Sequence, residues 1–501
     1  MRIMKTDINR REFLKGTAWM LAVAETAGCT CLTEGCGIGG SMHGFACAPL
    51  KNVRVGVIGL GMRGSMCIDR LAIIPGMEIT MLCDLYPERT AAAQAKLRAL
   101  GKRPAEEVND PEGWKRVCDS DRVDVVYSPS PWALHVPVAL RAMRSGKHVF
   151  LEVPAAFRID DCWELVETAE KTKRHCMQLE NCCYGEEEMV GLALARNGRL
   201  GEVVHAECDY IHDLRNYCYR EPTPRVVWEE SRNGTKAERE TGYWDYWRLK
   251  LNAEHKGNMY PTHGLGPVCQ VLNVNRGDRL DYLCSLESNQ FNFEAYAKLM
   301  YPADDWRRRL KVEMGDMNMT LVKTMKGKSI LIRHDVSSPR PYQRFEVLSG
   351  TNGIYIGYPY RKPNFQVVYA KASGEHLGAF WQDEAAKKVW EENYPNLWKK
   401  AGAFAKAVGG HGGKDFIMDL RWAYCLQNGL PMDLDVYDLA TWSSICELSE
   451  RSVRGRKYVD VPDFTRGGWK TAKPFEVVDF DVEPLMRRIS GANKTTQNQK
   501  G

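Results

Sequence analysis

The sequence predicts an α/β protein in which an N-terminal doubly wound parallel sheet is joined to a C-terminal α+β domain with a mainly antiparallel, open sheet. Three observations carry this. Residues Val53–Gly64 form an apolar strand running straight into Gly59-x-Gly61-x-x-Gly64; strand and helix patterns then alternate as far as Glu180; and from Glu202 to Ile211 apolar and polar residues alternate as on a strand with one wet face. With 501 residues, 44% of them hydrophobic, the chain is long enough for two full cores.

The first unit, residues 51–180, reads as a Rossmann dinucleotide-binding domain. After the opening strand come a helix at Ser65–Ile74 and a strand at Met77–Cys83 that ends in Asp84. The glycines have separate tasks. Gly59 permits the tight turn, Gly61 lets the backbone approach a pyrophosphate, and Gly64 lets the next helix pack on the strand with its N–H groups facing the phosphates. Asp84 is placed to accept hydrogen bonds from ribose hydroxyls and to repel a 2′-phosphate, which favours NAD over NADP. The alternation continues with helix Pro87–Leu100, strand Val123–Ser128, helix Leu134–Ser145, strand His148–Val153, helix Ile159–Thr172 and strand His175–Glu180.

The second unit, residues 181–490, opens with a helix over Gly185–Asn197 that stops at Asn197-Gly198, followed by strand Glu202–Ile211. Further strands are expected at Leu280–Leu286, Arg309–Met314, Met319–Thr324 and Ser329–Arg333, and helices at Trp390–Val408 and Asp415–Asn428. Arg220–Thr241 is charged and rich in turn residues, the pattern of a surface insertion. The polar tail 491–501 reads as disordered.

Bulk numbers exclude several classes. Lys+Arg 69 against Asp+Glu 64 leaves +5 with no basic block, so nucleic acid is not an expected partner. The 17 cysteines are odd in number and include no CxxC pair, so no metal site is expected and most should be small buried hydrophobes with free thiols, the adjacent Cys182-Cys183 among them. Residues 1–30 resemble a twin-arginine export signal: Asn9-Arg10-Arg11-Glu12-Phe13-Leu14-Lys15 precedes the apolar Thr17–Ala24, and Thr26-Ala27-Gly28-Cys29 resembles a lipoprotein cleavage site. Residues 31–50 then read as a linker, and no stretch is apolar enough to span a membrane. The expected location is the periplasm or, by a lipid on Cys29, the cell envelope.

In a doubly wound sheet the ligand lies beyond the carboxyl ends of the strands. Ser128-Pro129-Ser130-Pro131-Trp132-Ala133-Leu134-His135, Glu152-Val153-Pro154 and Glu180-Asn181 leave three of them. Asn181 could hold a nicotinamide carboxamide, while His135 suits either the cofactor or a helix cap, and Glu152 either the site or a structural ion pair. Tyr260-Pro261-Thr262-His263-Gly264-Leu265-Gly266-Pro267 brings a phenol and an imidazole to the start of a helix. It is the expected catalytic cluster, since histidine can remove a proton near neutral pH and tyrosine can donate one.

From Val53 to Asp84, through Trp132–His135 and the Glu-Val-Pro triplet, the chain resembles the glucose-fructose oxidoreductase and inositol dehydrogenase superfamily. Glu152-Val153-Pro154-Ala155-Ala156, Leu179–Tyr184, Tyr210–Arg215, Tyr246-Trp247-Arg248-Leu249, Tyr260–Pro267 and Asp433–Ser444 narrow the resemblance to glycoside hydrolase family 109, known for α-N-acetylgalactosaminidases. The resemblance implies hydrolysis of an α-linked N-acetylgalactosamine or related sugar, with NAD held throughout: oxidation at carbon 3, elimination across carbons 1 and 2, water addition and re-reduction, without the usual carboxylate pair. It also implies Met62, Arg63, Asp84, Trp132, His135, Glu152, Val153 and Asn181 at the NAD, and Tyr210, Arg248, Tyr260, Pro261, Thr262, His263 and Tyr342 at the sugar. His263 is the expected base, with Tyr260 beside it. Many superfamily dehydrogenases carry Glu-Lys-Pro where this chain has Val153, which weakens the alternative of a sugar or cyclitol dehydrogenase. Superfamily members often associate through the open sheet, so a homo-oligomer is a further expectation.

Overall fold

Strands β1 (Val53–Ile58), β2 (Met77–Cys83), β3 (Glu106–Val108), β4 (Val125–Ser128), β5 (His148–Leu151) and β6 (Cys176–Gln178) form a six-stranded parallel sheet in the order β3-β2-β1-β4-β5-β6. The computed structural model describes residues 40–224, 242–358, 366–369 and 384–489. The expected export signal, residues 225–241 of the charged segment and the tail 491–501 lie outside them. Val53, Val55 and Val57 of β1 are fully buried, as expected of a strand covered on both faces. The strand order reverses between β1 and β4, so a crevice opens at their carboxyl ends. The helix after β1, Gly64–Ile73, points its N-terminus there. A short strand β3 and the helix Gly113–Asp119 complete the unit, both too short to show a period in the sequence.

Beyond a 3₁₀ turn at Asn181–Tyr184 and the helix Glu186–Arg196, a second sheet forms from β7 (Val203–Ile211), β8 (Leu280–Glu287), β9 (Asn318–Thr324), β10 (Ser329–Asp335), β11 (Glu346–Gly350), β12 (Gly353–Ile356), β13 (Gln366–Tyr369) and β14 (Val459–Asp460). Its order is β13-β12-β11-β7-β10-β9-β8-β14, and every neighbouring pair is antiparallel except β7 with β10. One face is covered by the helices Thr262–Leu272 and Val436–Gly455; Ser285 on β8, for example, donates its N–H to the Ser452 hydroxyl at 2.8 Å. On the opposite face Leu286, Met319 and Leu321 are exposed among the described residues. A main core runs under both sheets, and a smaller aromatic-rich cluster including Trp132, Tyr210, Tyr219, Tyr260 and Met314 lies over the crevice.

Two expectations on secondary structure are corrected. Arg309–Met314 is not a strand: Met314 N–H bonds to the Asn252 carbonyl at 3.0 Å, and Leu310, Val312 and Met314 pack into the aromatic cluster. Their alternation arises from that packing, not from a sheet. The stretch Trp390–Val408 is not one helix but parts of two, Glu384–Glu392 and Asn396–Val408, because Pro395 has no N–H to continue the first and caps the second.

Candidate active site

A cavity of about 720 Å³, the size of a small-molecule site, opens at the crevice. Gly59, Gly61, Met62, Arg63, Asp84, Trp132, Glu152 and Val153 line it from the parallel sheet, and Tyr243, Trp247, Arg248 and Tyr260 from the second unit.

The glycine turn has the shape a dinucleotide requires. Gly59 adopts φ +95°, and a β-carbon there would lie 3.0 Å from Ser130 Cα. At Gly64 a β-carbon would fall 1.8 Å from the Gly59 carbonyl oxygen, so only glycine lets the helix start this close to the turn. Gly61 faces the cleft, with no atom nearer than Arg89 Nη1 at 3.6 Å from a β-carbon placed there. Asp84 accepts N–H bonds from Leu60 at 2.7 Å and Tyr86 at 3.0 Å, which fix its carboxylate at the cleft wall. Glycines open to the cavity, a helix N-terminus and a fixed acidic acceptor together fit NAD.

Behind the cavity wall runs an ionic network. Arg63 donates to Glu152 at 2.6 Å and to Asp415 at 2.9 Å, and Asp415 also accepts from the Asn181 amide. His411 Nδ1 lies 2.9 Å from Asp415. Glu152 therefore both lines the cleft and forms an ion pair. Asn181 is 1% exposed and tied to the helix Lys414–Asn428. His135 is fully buried, its ring nitrogens 3.0 Å from the carbonyls of Ser130 and Pro154, and burial pushes its imidazole down to about 4. It joins the loops after β4 and β5 from behind and does not line the cleft. Trp132 holds the same two loops through Nε1, which donates to the Val153 carbonyl at 3.2 Å.

Of the residues the resemblance assigned to the sugar, Arg248 and Tyr260 line the cavity, while Tyr210, Pro261, Thr262, His263 and Tyr342 do not. The Tyr210 and Tyr260 rings stack at 4.2 Å, and Tyr342 meets Tyr210 edge-on at 6.1 Å. The buried Arg248 guanidinium lies 4.8 Å from the Trp132 ring centre and 5.2 Å from that of Tyr260. Pro261 caps the helix Thr262–Leu272, Thr262 is fully buried in its first turn, and His263 follows.

His263 Nδ1 lies 2.8 Å from Glu180 Oε1, and Nε2 lies 3.4 Å from the Tyr260 hydroxyl. The helix reaches Glu180 because Gly264 and Gly266 have no side chains: β-carbons would stand 2.8 Å from the Asp209 nitrogen and 2.9 Å from Glu180 Cγ. Burial pulls the His263 imidazole down, but the Cys182 sulfur and the Glu180 carboxylate outweigh it and raise it to about 9. Burial pushes Glu180 up, yet His263 and the Cys182 N–H bring it to about 2. Burial holds the Tyr260 phenol well above its ordinary range. The arrangement is a carboxylate–imidazole–phenol line, able to hold and move a proton at the cleft.

Sequence reasoning did not find Asp415, Arg344 and Lys414 as members of the site, it left the Gly409–Gly413 run with His411 as either a flank of the site or a loop, and it had seen Glu180 only as a strand-end acid. No metal set was visible in the sequence, whereas the fold brings one ligand atom each of Glu180, Cys182 and His263 within 4.8 Å of one another. The Arg344 guanidinium and Lys414 ammonium already lie on that sulfur at 2.8 and 3.1 Å. Every cysteine among the described residues is free, as expected.

Fold and site define an NAD-binding protein built around a cleft of small-molecule size. Residues 53–179 match the family model of an oxidoreductase family with an NAD-binding Rossmann fold, and residues 184–471 match that of the glycosyl hydrolase 109 C-terminal domain. A glycosyl hydrolase family 109 protein of Shewanella sp. (strain ANA-3) is 41% identical over 481 residues, covering 94% of this chain and all of the relative. A Bacteroides fragilis protein named alpha-N-acetylgalactosaminidase is 42% identical over 428 residues, 85% of this chain and 95% of its own. The chain belongs to glycosyl hydrolase family 109. In fold it is similar to levoglucosan dehydrogenase solved with NADH and levoglucosan, with TM-score 0.59 and 18% identity over 82% of this chain and all of that one.

Proposed function

We propose that this chain is an NAD-dependent retaining glycosidase that releases α-linked N-acetylgalactosamine, or a closely related sugar, from glycans. The observation that carries the reading is the Glu180–His263–Tyr260 line beside a cleft shaped for a dinucleotide. The sugar is supported by the 42% identity to the Bacteroides fragilis relative named for that activity.

Bound NAD supplies a hydride acceptor and donor at sugar carbon 3, so that carbon 2 is acidic in between. The chain's own residues supply everything else. Asp84 takes the ribose hydroxyls, and the Gly59–Gly64 turn with its helix N-terminus takes the phosphates. Asn181, held by Asp415, would take the nicotinamide carboxamide. Neutral His263 removes the carbon 2 proton while Glu180 fixes its ring orientation. Tyr260, its phenol kept protonated by burial, donates to the departing glycosidic oxygen. Tyr210, Trp132 and Arg248 exclude water and give the sugar faces to lie on. Val153, apolar and 2% exposed, carries no base for a simple dehydrogenation.

The test is turnover of an aryl α-N-acetylgalactosaminide by purified protein without added NAD, in deuterated water. Release of the sugar with deuterium at carbon 2 is expected. A requirement for stoichiometric external NAD with NADH left in solution would establish the dehydrogenase instead.

We further propose that the chain is exported and works in the periplasm or on a lipid anchor at Cys29, a reading supported by Arg10-Arg11 and the apolar Thr17–Ala24. Recovery of unprocessed chain from the cytoplasm alone would overturn it. Association of copies through the open sheet face is part of the same reading.

A further inference from the structure

We infer that Arg89 is a clasp for the cofactor: it stands beside the adenosine end of the nucleotide cleft and ties the first unit to residues 223–224 of the second, so that bound NAD leaves only when this tie opens. The clasp acts on the dinucleotide alone, whichever sugar chemistry the site performs.

Arg89 lies in the first turn of the helix Pro87–Ala99 and is 9% exposed. It lines the cleft with Gly61, Asp84 and Tyr86 of its own unit and with Gly242, Tyr243 and Trp244 of the other. Nη1 lies 3.6 Å from Asp84 Oδ1, and a β-carbon at Gly61 would stand 3.6 Å from the same nitrogen. The cation is therefore beside both the acid that takes the ribose hydroxyls and the glycine that admits the pyrophosphate. The other edge of the guanidinium grips the second unit: Nε donates to the Pro224 carbonyl at 3.1 Å and Nη2 to the Thr223 carbonyl at 2.9 Å. A fork engaged on two carbonyls is not offered to a 2′-phosphate, which agrees with NAD as the cofactor.

The gripped residues belong to a braced wall. They continue from the helix Arg215–Tyr219, whose last carbonyl, that of Tyr219, accepts from Arg307 Nη1 at 3.0 Å. At residue 242 the chain is back beside them: Gly242 N–H donates to the Glu221 carbonyl at 3.0 Å, and the Tyr246 hydroxyl donates to the Glu221 carboxylate at 2.5 Å. Gly242 makes this approach possible, because a β-carbon there would fall 1.9 Å from the Arg220 carbonyl oxygen. The chain then enters the helix Trp247–Glu254, whose Arg248, Leu251 and Glu254 line the cleft. Two charge-assisted hydrogen bonds from one planar guanidinium thus join the helix beside Asp84 to the wall that faces it. Opening the adenosine end of the cleft means breaking both.

The experiment loads the full protein with isotopically labelled NAD and follows its exchange for unlabelled NAD, with circular dichroism to show that each variant is folded. Arg89→Met is expected to release the label at least about tenfold faster than the wild type. Arg89→Lys, which keeps the charge but cannot bridge two carbonyls as a fixed fork, is expected to be fast as well. Gly242→Ala forces the two ends of the braced segment apart while leaving the guanidinium in place, and it too is expected to speed release. Equal rates in the wild type and in folded Arg89→Met or Arg89→Lys overturn the inference. So does fast release in the Arg89 variants with wild-type release in folded Gly242→Ala, because the arginine would then hold the nucleotide directly and not through residues 223–224. No glycoside enters the measurement, so it decides the matter even if the proposed hydrolysis fails.

Discussion

His263 is charged at neutral pH in the resting site, because its imidazole is lifted to about 9. Proton abstraction needs the neutral ring, the minor form at pH 7. The sign follows: kcat/KM for the aryl glycoside should rise with pH and level off near 9, whereas a ring acting as an acid would give a profile falling there. His263→Ala should lower kcat by about 10²–10⁴-fold. Tyr260→Phe should cost less, and steady-state rates across the pH range compare the two. At this scale the Tyr260–His263 pair was legible, since both lie within one short string at a helix start. The partner Glu180 was not, because a separation of 83 positions carries no period that could announce the 2.8 Å contact. Arg344, Lys414 and Asp415 escaped for the same reason. Their residue types are common on surfaces, and only the fold buries them together.

The helix Thr262–Leu272 delivers the imidazole, and its two inner glycines set how deeply it sits. A β-carbon at position 266 would stand 2.9 Å from Glu180 Cγ, 3.1 Å from Cys183 Sγ and 3.1 Å from Trp442, with no free side to yield. Gly266→Ala should therefore cost about 1–3 kcal/mol of stability in urea unfolding, and it should lower kcat more than it raises KM by pushing the helix off Glu180. A fully active, equally stable variant would show that the contact is slack. Elements were readable where burial imposed a clean period, as along β1 and β7. They were misread where another constraint made the same pattern: Arg309–Met314 alternates because an aromatic cluster takes every second side chain. A single proline, Pro395, divided what hydrophobic spacing joined.

For the molecule as a whole, the two-sheet architecture was visible in the sequence because each half keeps its own pattern, a continuous apolar run per strand in the first and alternation in the second. The open face of the second sheet is the unbalanced part. Leu321 is 57% exposed on β9, with Cys284 of β8 and Leu331 of β10 opposite it, and Leu286 is 58% exposed beside Met319. An exposed apolar stripe on a sheet favours a second copy of itself. Leu321→Lys with Leu286→Lys is expected to convert an oligomer to monomers in light scattering, with circular dichroism unchanged. A wild type that is already monomeric at micromolar concentration would remove this reading.

The ion pair that binds Arg63 of the glycine turn to Asp415, and the hydrogen bond that the Asn181 amide donates to Asp415, have a kinetic consequence. They staple the floor of the nucleotide pocket to a helix from the far half of the chain, so the pocket cannot gape without pulling Arg63 off the fully buried Asp415 carboxylate. A dinucleotide lodged there would leave slowly and behave as a prosthetic group, surviving dialysis and gel filtration.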